Sequence, residues 1–187
     1  MLVPSDIYSR YSWVSIDPGL TTCGFSIFTV VNRSIESIEA FTITNNKINL
    51  ISDYQDQYHS DRQIRMHRLC LVWNEILYRV NPIAVICESP FYNPRMPGAF
   101  GSLTETVAAL RITLNNFSTI TPFISYSPQE VKQSFKRSGQ VGKLVMREAL
   151  LEVPELLSKL HTSIENLDEH AIDSIAVGYT WWLRLQS

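Results

Sequence analysis

Between Asn81-Pro82 and Glu88 stand five apolar residues without a polar break, Ile83-Ala84-Val85-Ile86-Cys87. A strand with water on one face alternates apolar and polar side chains. A run without alternation is expected where both faces are covered, the usual setting of a parallel strand flanked by helices. The segment before it, 61–80, has a different period. Leu69, Val72, Trp73, Ile76, Leu77 and Val80 recur at helical spacing and make one apolar face. Asn81-Pro82 ends that helix, because the residue before a proline avoids helical geometry. A helix feeding a buried parallel strand is the elementary unit of an α/β fold.

The chain ahead of this unit reads as an antiparallel meander. Trp13 to Asp17 is a short strand broken by Pro18-Gly19, residues 23–31 are a second, and Asn32-Arg33-Ser34 turns the chain into a third over 35–44. A polar stretch, 45–60, follows. Beyond Glu88, residues 89–98 hold Pro90, Pro94 and Pro97 and read as a stiff irregular loop. Helices are expected over 102–116 and 143–152, and a strand over 122–126. Ser127-Pro128-Gln129-Glu130 starts another helix, with Ser127 as cap and Glu130 as its capping-box partner. The last helix is expected over 166–185, with Asn166 and Glu169 as a possible capping box. The sum is one α/β domain over 1–187 with a mixed sheet.

The 187 residues are 45% hydrophobic, enough to build a real core. No apolar run approaches the roughly 18 residues of a membrane span. Residues 1–10 do not read as a secretory signal. Cys23, Cys70 and Cys87 are scattered and odd in number, which suits reduced thiols in a cytoplasmic setting rather than a disulfide framework or a zinc site. The net charge of -2 hides a division. Lys132, Lys136, Arg137, Lys143 and Arg147 make a basic track, and an acidic stretch follows it. An enzyme with acidic metal ligands beside a phosphate track has this balance, and so does a mixed solvated surface.

Three places carry candidate chemistry. In Ser15-Ile16-Asp17-Pro18-Gly19-Leu20-Thr21-Thr22-Cys23-Gly24, an Asp closes a buried strand and a glycine-containing turn leads into the next. The same pattern suits an Asp that caps a turn, or the phosphate turn of sugar kinases and actin-like ATPases. Glu88 ends the apolar strand, where α/β sheets place their sites, although a glutamate reaching solvent also ends strands. In Asp168-Glu169-His170-Ala171-Ile172-Asp173, His170 and Asp173 are three apart and share a helical face; an acidic first helical turn also compensates the helix dipole. Asp17, Glu88, Asp173 and His170 together offer hard oxygen donors and one imidazole. That set suits magnesium or manganese and not structural zinc. Two such ions about 4 Å apart activate water and stabilise the leaving oxygen of a phosphodiester.

At these residues the sequence resembles the RuvC resolvase family of the RNase H-like superfamily, over about residues 12–180 and with the motifs in order. The resemblance implies an RNase H-like fold, a mixed five-stranded sheet flanked by helices. It implies a metal-dependent endonuclease of DNA recombination and repair that cuts Holliday junctions symmetrically as a homodimer, with two Mg2+ per active site. Ile16-Asp17-Pro18-Gly19 matches the first catalytic motif, Glu88 the second carboxylate and Asp173 the last. His170 stands where many members carry Asp and some carry His; one negative charge fewer shifts the preference toward Mn2+. Phe91, three residues after the Glu, matches an aromatic wedge, and Lys132 and Lys143 match phosphate-binding lysines. The proline-rich loop over 90–97 and the polar insertion over 45–60 depart from the bacterial enzymes and are similar to viral or phage relatives.

Two rivals share these residues. One is a broader nuclease of flaps, forks and three-way branches; the other is a catalytically weak junction-binding protein. An actin-like ATPase fragment needs a second phosphate motif and a longer chain. The helix over 61–80, with Trp73, is expected either in the dimer interface or in the core.

Overall fold

The computed structural model describes residues 10–45, 60–92, 94–95, 97–135 and 144–186, with the side chains of 144 and 145 excepted. Five strands form one sheet: β1 (Tyr11–Asp17), β2 (Thr22–Val31), β3 (Ser34–Thr44), β4 (Val85–Glu88) and β5 (Phe123–Tyr126), in the order β3-β2-β1-β4-β5. β1, β2 and β3 are antiparallel. β4 joins β1 in parallel, and β5 joins β4 in parallel. This is the mixed five-stranded sheet expected from the sequence, and the run before Glu88 is a buried parallel strand. The β2–β3 hairpin turns on two residues with positive φ, Asn32 at 51° and Arg33 at 63°. Such a turn matches the right-handed twist of the strands it joins.

Side-chain alternation sends the sheet's residues to two cores. Val14, Ile16, Phe25, Val85 and Cys87 face helices α1 (Asp61–Val80) and α2 (Pro97–Phe117). Trp13, Phe28, Ile38 and Ile86 face helix α6 (Glu169–Gln186). Ser60 and Gln63 cap α1 reciprocally, and α1 ends at Asn81 in the left-handed conformation. Trp73 has no exposed surface; its ring stacks on Phe25, and its Nε1 donates to the Leu110 carbonyl at 3.0 Å. Its place is the core of its own chain, which removes it from the proposed dimer contact. Burial of a side chain this size contributes about 2–3 kcal/mol.

Helix α6 lies close on β1 and β2 because small residues meet there. Ser15 and Ser26 are fully buried and share a 2.6 Å hydrogen bond. A Cβ on Gly178 would come within 2.3 Å of the Ser15 hydroxyl and the Phe28 ring. Further along, Trp13 stacks on Phe28 and meets Trp181 edge-on, each at 4.9 Å between ring centroids.

Two boundaries differ from expectation. Helix α2 starts at Pro97, inside the segment read as irregular loop, because proline is tolerated at a first helical position, where its missing N–H has no intrahelical partner. Helices α3 (Pro128–Ser134) and α4 (Leu144–Leu151) follow, α3 with the Ser127–Glu130 capping box. After the short α5 (Pro154–Leu157), residues Ile164–Asn166 form a 3-10 turn, so the proposed Asn166 cap does not form. Asp168 takes that role instead: its Oδ1 accepts the Ala171 N–H at 2.9 Å and the Thr42 hydroxyl. The expected Lys143 start of α4 and the polar stretch over 46–59 lie outside the described residues. Among the described residues no helix is long and apolar enough to cross a membrane.

Candidate active site

β1 stops at Asp17 because Pro18 has no N–H to continue the ladder. The turn that follows is tight, and a Cβ on Gly19 would come within 2.1 Å of the Thr22 carbonyl oxygen. By strand alternation Asp17 and Glu88 both point to the α6 side, since Ile16 and Cys87 face the other core. Both strands run in the same direction, so both carboxylates stand at the same edge of the sheet.

Helix α6 begins at this edge. Opposite Asp17 in the β1–β2 ladder is Gly24. A Cβ there would lie 2.0 Å from the His170 carbonyl oxygen, so a side chain at this position would push the helix away. With α6 seated on Gly24, His170 Nδ1 lies 2.7 Å from Asp17 Oδ2. Its Nε2 is 3.8 Å from Glu169. Asp17 is nearly enclosed, at 13% side-chain exposure, and His170 is about one-third exposed at 31%. The hydrogen bond to Asp17 raises the imidazole above its ordinary range against the opposing effect of burial, and the charges of Asp17, Glu169 and Asp168 add to the rise.

Glu88 reports on the rest of the cluster. Burial pushes its carboxyl up to about 8; the charges of Asp17 and Asp173 push in the same direction, and Lys132 opposes them. Asp17, Glu88, His170 and Asp173, drawn from β1, β4 and α6, are thus gathered at one sheet edge, with Lys132 of α3 within electrostatic reach. Among the described residues no three His, Cys, Asp or Glu side chains converge at ligating distance on one point. Asp17 Oδ2 is engaged by the imidazole instead. The donor set itself fits a hard divalent cation: three carboxylates whose mutual repulsion such a charge relieves, and one imidazole.

Phe91 is 67% exposed beyond the end of β4, away from the core. Its neighbour Tyr92, which the sequence reading passed over, is also exposed and meets Phe100 edge-on at 5.5 Å. Lys143 lies outside the described residues. Arg147 leaves the basic track: its Nη1 and Nη2 donate to the Ile164 and Leu167 carbonyls, both at 2.7 Å. It clamps the segment that leads into Asp168 and α6. Gly24 stood in the Asp17 motif, but its purpose depends on a helix that arrives nearly 150 residues later.

A parallel-antiparallel sheet in this order, flanked by helices and carrying acidic residues at the ends of its central strands, is an RNase H-like fold. The sequence matches the family described as crossover junction endodeoxyribonuclease RuvC over residues 13–181. The chain therefore belongs to the RuvC family, whose activity is the endonucleolytic cutting of crossover junctions in DNA. Among solved structures, it is similar to the T. thermophilus RuvC in complex with Holliday junction substrate, at 20% identity and a TM-score of 0.65, covering 94% of this chain and 96% of that one. It is also similar to the yeast mitochondrial Holliday junction resolvase Ydc2, at 15% identity and a TM-score of 0.63, covering 97% and 81%. At these identities the likeness is one of fold. No curated protein matches the sequence.

Proposed function

We propose that this chain hydrolyses DNA phosphodiesters at four-way junctions, leaving 5′-phosphate and 3′-hydroxyl ends, and that Asp17, Glu88, His170 and Asp173 form its catalytic centre. The observation that carries the reading is the acidic cluster at one sheet edge: Asp17 and Glu88 end the parallel neighbours β1 and β4, His170 Nδ1 of α6 lies 2.7 Å from Asp17 Oδ2, and Glu88 is raised by burial and by the charges of Asp17 and Asp173. Concentrating negative charge in a desolvated pocket is costly. A fold tolerates it where a cation is meant to bind. The family is metal-dependent, and the four side chains would hold two Mg2+ or Mn2+ ions, which activate water and stabilise the leaving oxygen.

The chain's own residues supply the rest. Asp17, at the end of β1, is the carboxylate that the imidazole contacts. His170, hydrogen-bonded to Asp17 and raised in pKa, holds a proton beside that carboxylate. Lys132 sets a positive charge near Glu88 and would meet a phosphate there. Phe91, exposed next to the site, would stack on a base unpaired at the branch, worth about 1–3 kcal/mol. Two symmetric cuts need two such centres, so the acting form is a homodimer, in the cytoplasm of the cell where the DNA is processed.

The test is cleavage of a labelled four-way junction, beside matched duplex and flap, in Mg2+ or Mn2+, by wild type and Asp17→Asn. Paired symmetric nicks in the junction by wild type alone, with binding retained in Asp17→Asn, is the expected result. Equal cutting of flaps would replace the resolvase reading with a general branch nuclease. Wild-type rates in Asp17→Asn would remove that carboxylate from the centre.

A further inference from the structure

We propose that Arg65 and Thr21 form a second phosphate-binding element, which grips a DNA backbone phosphodiester on the side of the carboxylate cluster away from Lys132. The inference rests on the nuclease reading and names a contact that reading does not contain.

The element is built on a buried amide. Asn45, just past the end of β3, is 2% exposed. Its Nδ2 donates to the carbonyls of Leu20 and Arg65, both at 2.7 Å, and its main-chain N–H donates to the Thr21 carbonyl at 2.8 Å. One side chain thereby pins the turn after Asp17 to the first turns of α1. Arg65 then reaches across this seam, and its Nη1 donates to Thr21 Oγ1 at 3.3 Å. That oxygen accepts from the guanidinium, so the hydroxyl proton is left to donate outward.

The charges around it point to an anion. Two arginines of the same helix are neutralised by carboxylates, Arg62 by Glu105 at 2.7 Å and Arg79 by Glu39 at 3.2 Å. Among the described residues, the partner of the Arg65 guanidinium is a neutral hydroxyl. A planar fork of N–H donors beside a hydroxyl suits a phosphodiester, which accepts through two oxygens. The place is also right. Thr21 is in the turn between β1 and β2, and Lys132 is in α3, directly after β5. Sheet order puts β1 and β4, with Asp17 and Glu88 at their ends, between the turn that carries Thr21 and the start of α3. Compensation on both sides is what a polyanion needs in order to approach three carboxylates.

The experiment is fluorescence anisotropy of a synthetic four-way junction in chelator, so that metal chemistry is not read, between about 50 and 200 mM salt. Arg65→Ala should weaken binding about tenfold and lower the slope of log affinity against log salt by about one. Arg65→Ala with Lys132→Ala should lower it by about two, because the phosphates are separate. Arg65→Lys should keep the slope but bind several-fold more weakly, having lost the fork. Arg79→Ala should match wild type. Asn45 holds the Arg65 main chain, so the thermal midpoint should not move; if it does, Arg65→Lys and Thr21→Val decide, and wild-type affinity in both overturns the proposal. A wild-type slope in Arg65→Ala also overturns it, provided wild type binds and cuts the junction. A wild type that does neither refutes the nuclease reading instead.

Discussion

Replacing Glu88 by Gln removes the ionisable group at the end of β4 and leaves the shape of the side chain almost unchanged. Burial is the main cause that lifts this carboxyl from 4.5 to about 8, with Asp17 and Asp173 adding to it and Lys132 opposing. A displacement of that size corresponds to about 5 kcal/mol. It is a ceiling, because water entering the pocket and the lost attraction to Lys132 reduce what the substitution returns. The folded state holds its proton to higher pH than the unfolded chain. Between about pH 4.5 and 8 the native protein therefore binds more protons, and stability falls as pH rises. The contribution is full below 4.5 and gone above about 8. His170, also raised, loses stability in the same direction, and it is present in both proteins, so the difference between them isolates Glu88. In chelator, Glu88→Gln should match wild type near pH 4.5 and exceed it by about 2–5 kcal/mol near pH 8. Trp13, Trp73, Trp181 and Trp182 are all buried, so tryptophan fluorescence during urea unfolding reads the transition directly. Excess Mg2+ or Mn2+ should flatten the wild-type profile and leave the variant's nearly unchanged. Parallel pH profiles in chelator would refute the reasoning, since Glu88 would then titrate alike in folded and unfolded chains.

Gly24→Ala puts a methyl group into the His170 carbonyl and should cost about 1–3 kcal/mol while separating the imidazole from Asp17; urea unfolding and the rise in metal concentration needed for half-maximal cutting measure the two effects. Phe91→Ala should leave the unfolding midpoint unchanged, since the ring is exposed, and lower junction cutting by about tenfold, with duplex binding little affected; equal losses on both substrates would refute a base-stacking role. Arg147→Met should destabilise by about 2–3 kcal/mol through two lost carbonyl bonds. Its junction-binding salt slope should stay at the wild-type value, because the guanidinium is already engaged; a slope lowered by about one would return it to the phosphate track.

What local rules govern was legible in the sequence. The unbroken apolar run before Glu88 marked a covered parallel strand, and β4 is one. The period and the Asn81-Pro82 stop located α1, and Ser127-Pro128-Gln129-Glu130 located the start of α3. Local rules failed where two of them competed. Pro97 reads as a loop residue by composition and as a first helical residue by geometry, and the helix prevailed. Asn166 and Asp168 are both good caps; the Thr42 hydroxyl on β3, far away in sequence, holds Asp168 in place.

Asp17, Glu88, His170 and Asp173 could be named from residue type and position at strand and helix ends, because those ends are where an α/β sheet exposes a carboxylate. That they meet at one edge was decided by the sheet order, which sets β1 beside β4, and by Gly24 and Gly178, which let α6 lie against β1 and β2. The use of each arginine was likewise a tertiary matter. Arg147 and Arg65 are alike in sequence, but one spends its guanidinium on two carbonyls of its own chain and the other rests on a hydroxyl beside the site. Charge and periodicity are properties of neighbours along the chain, whereas the partner of a side chain is fixed only when distant segments are brought into contact.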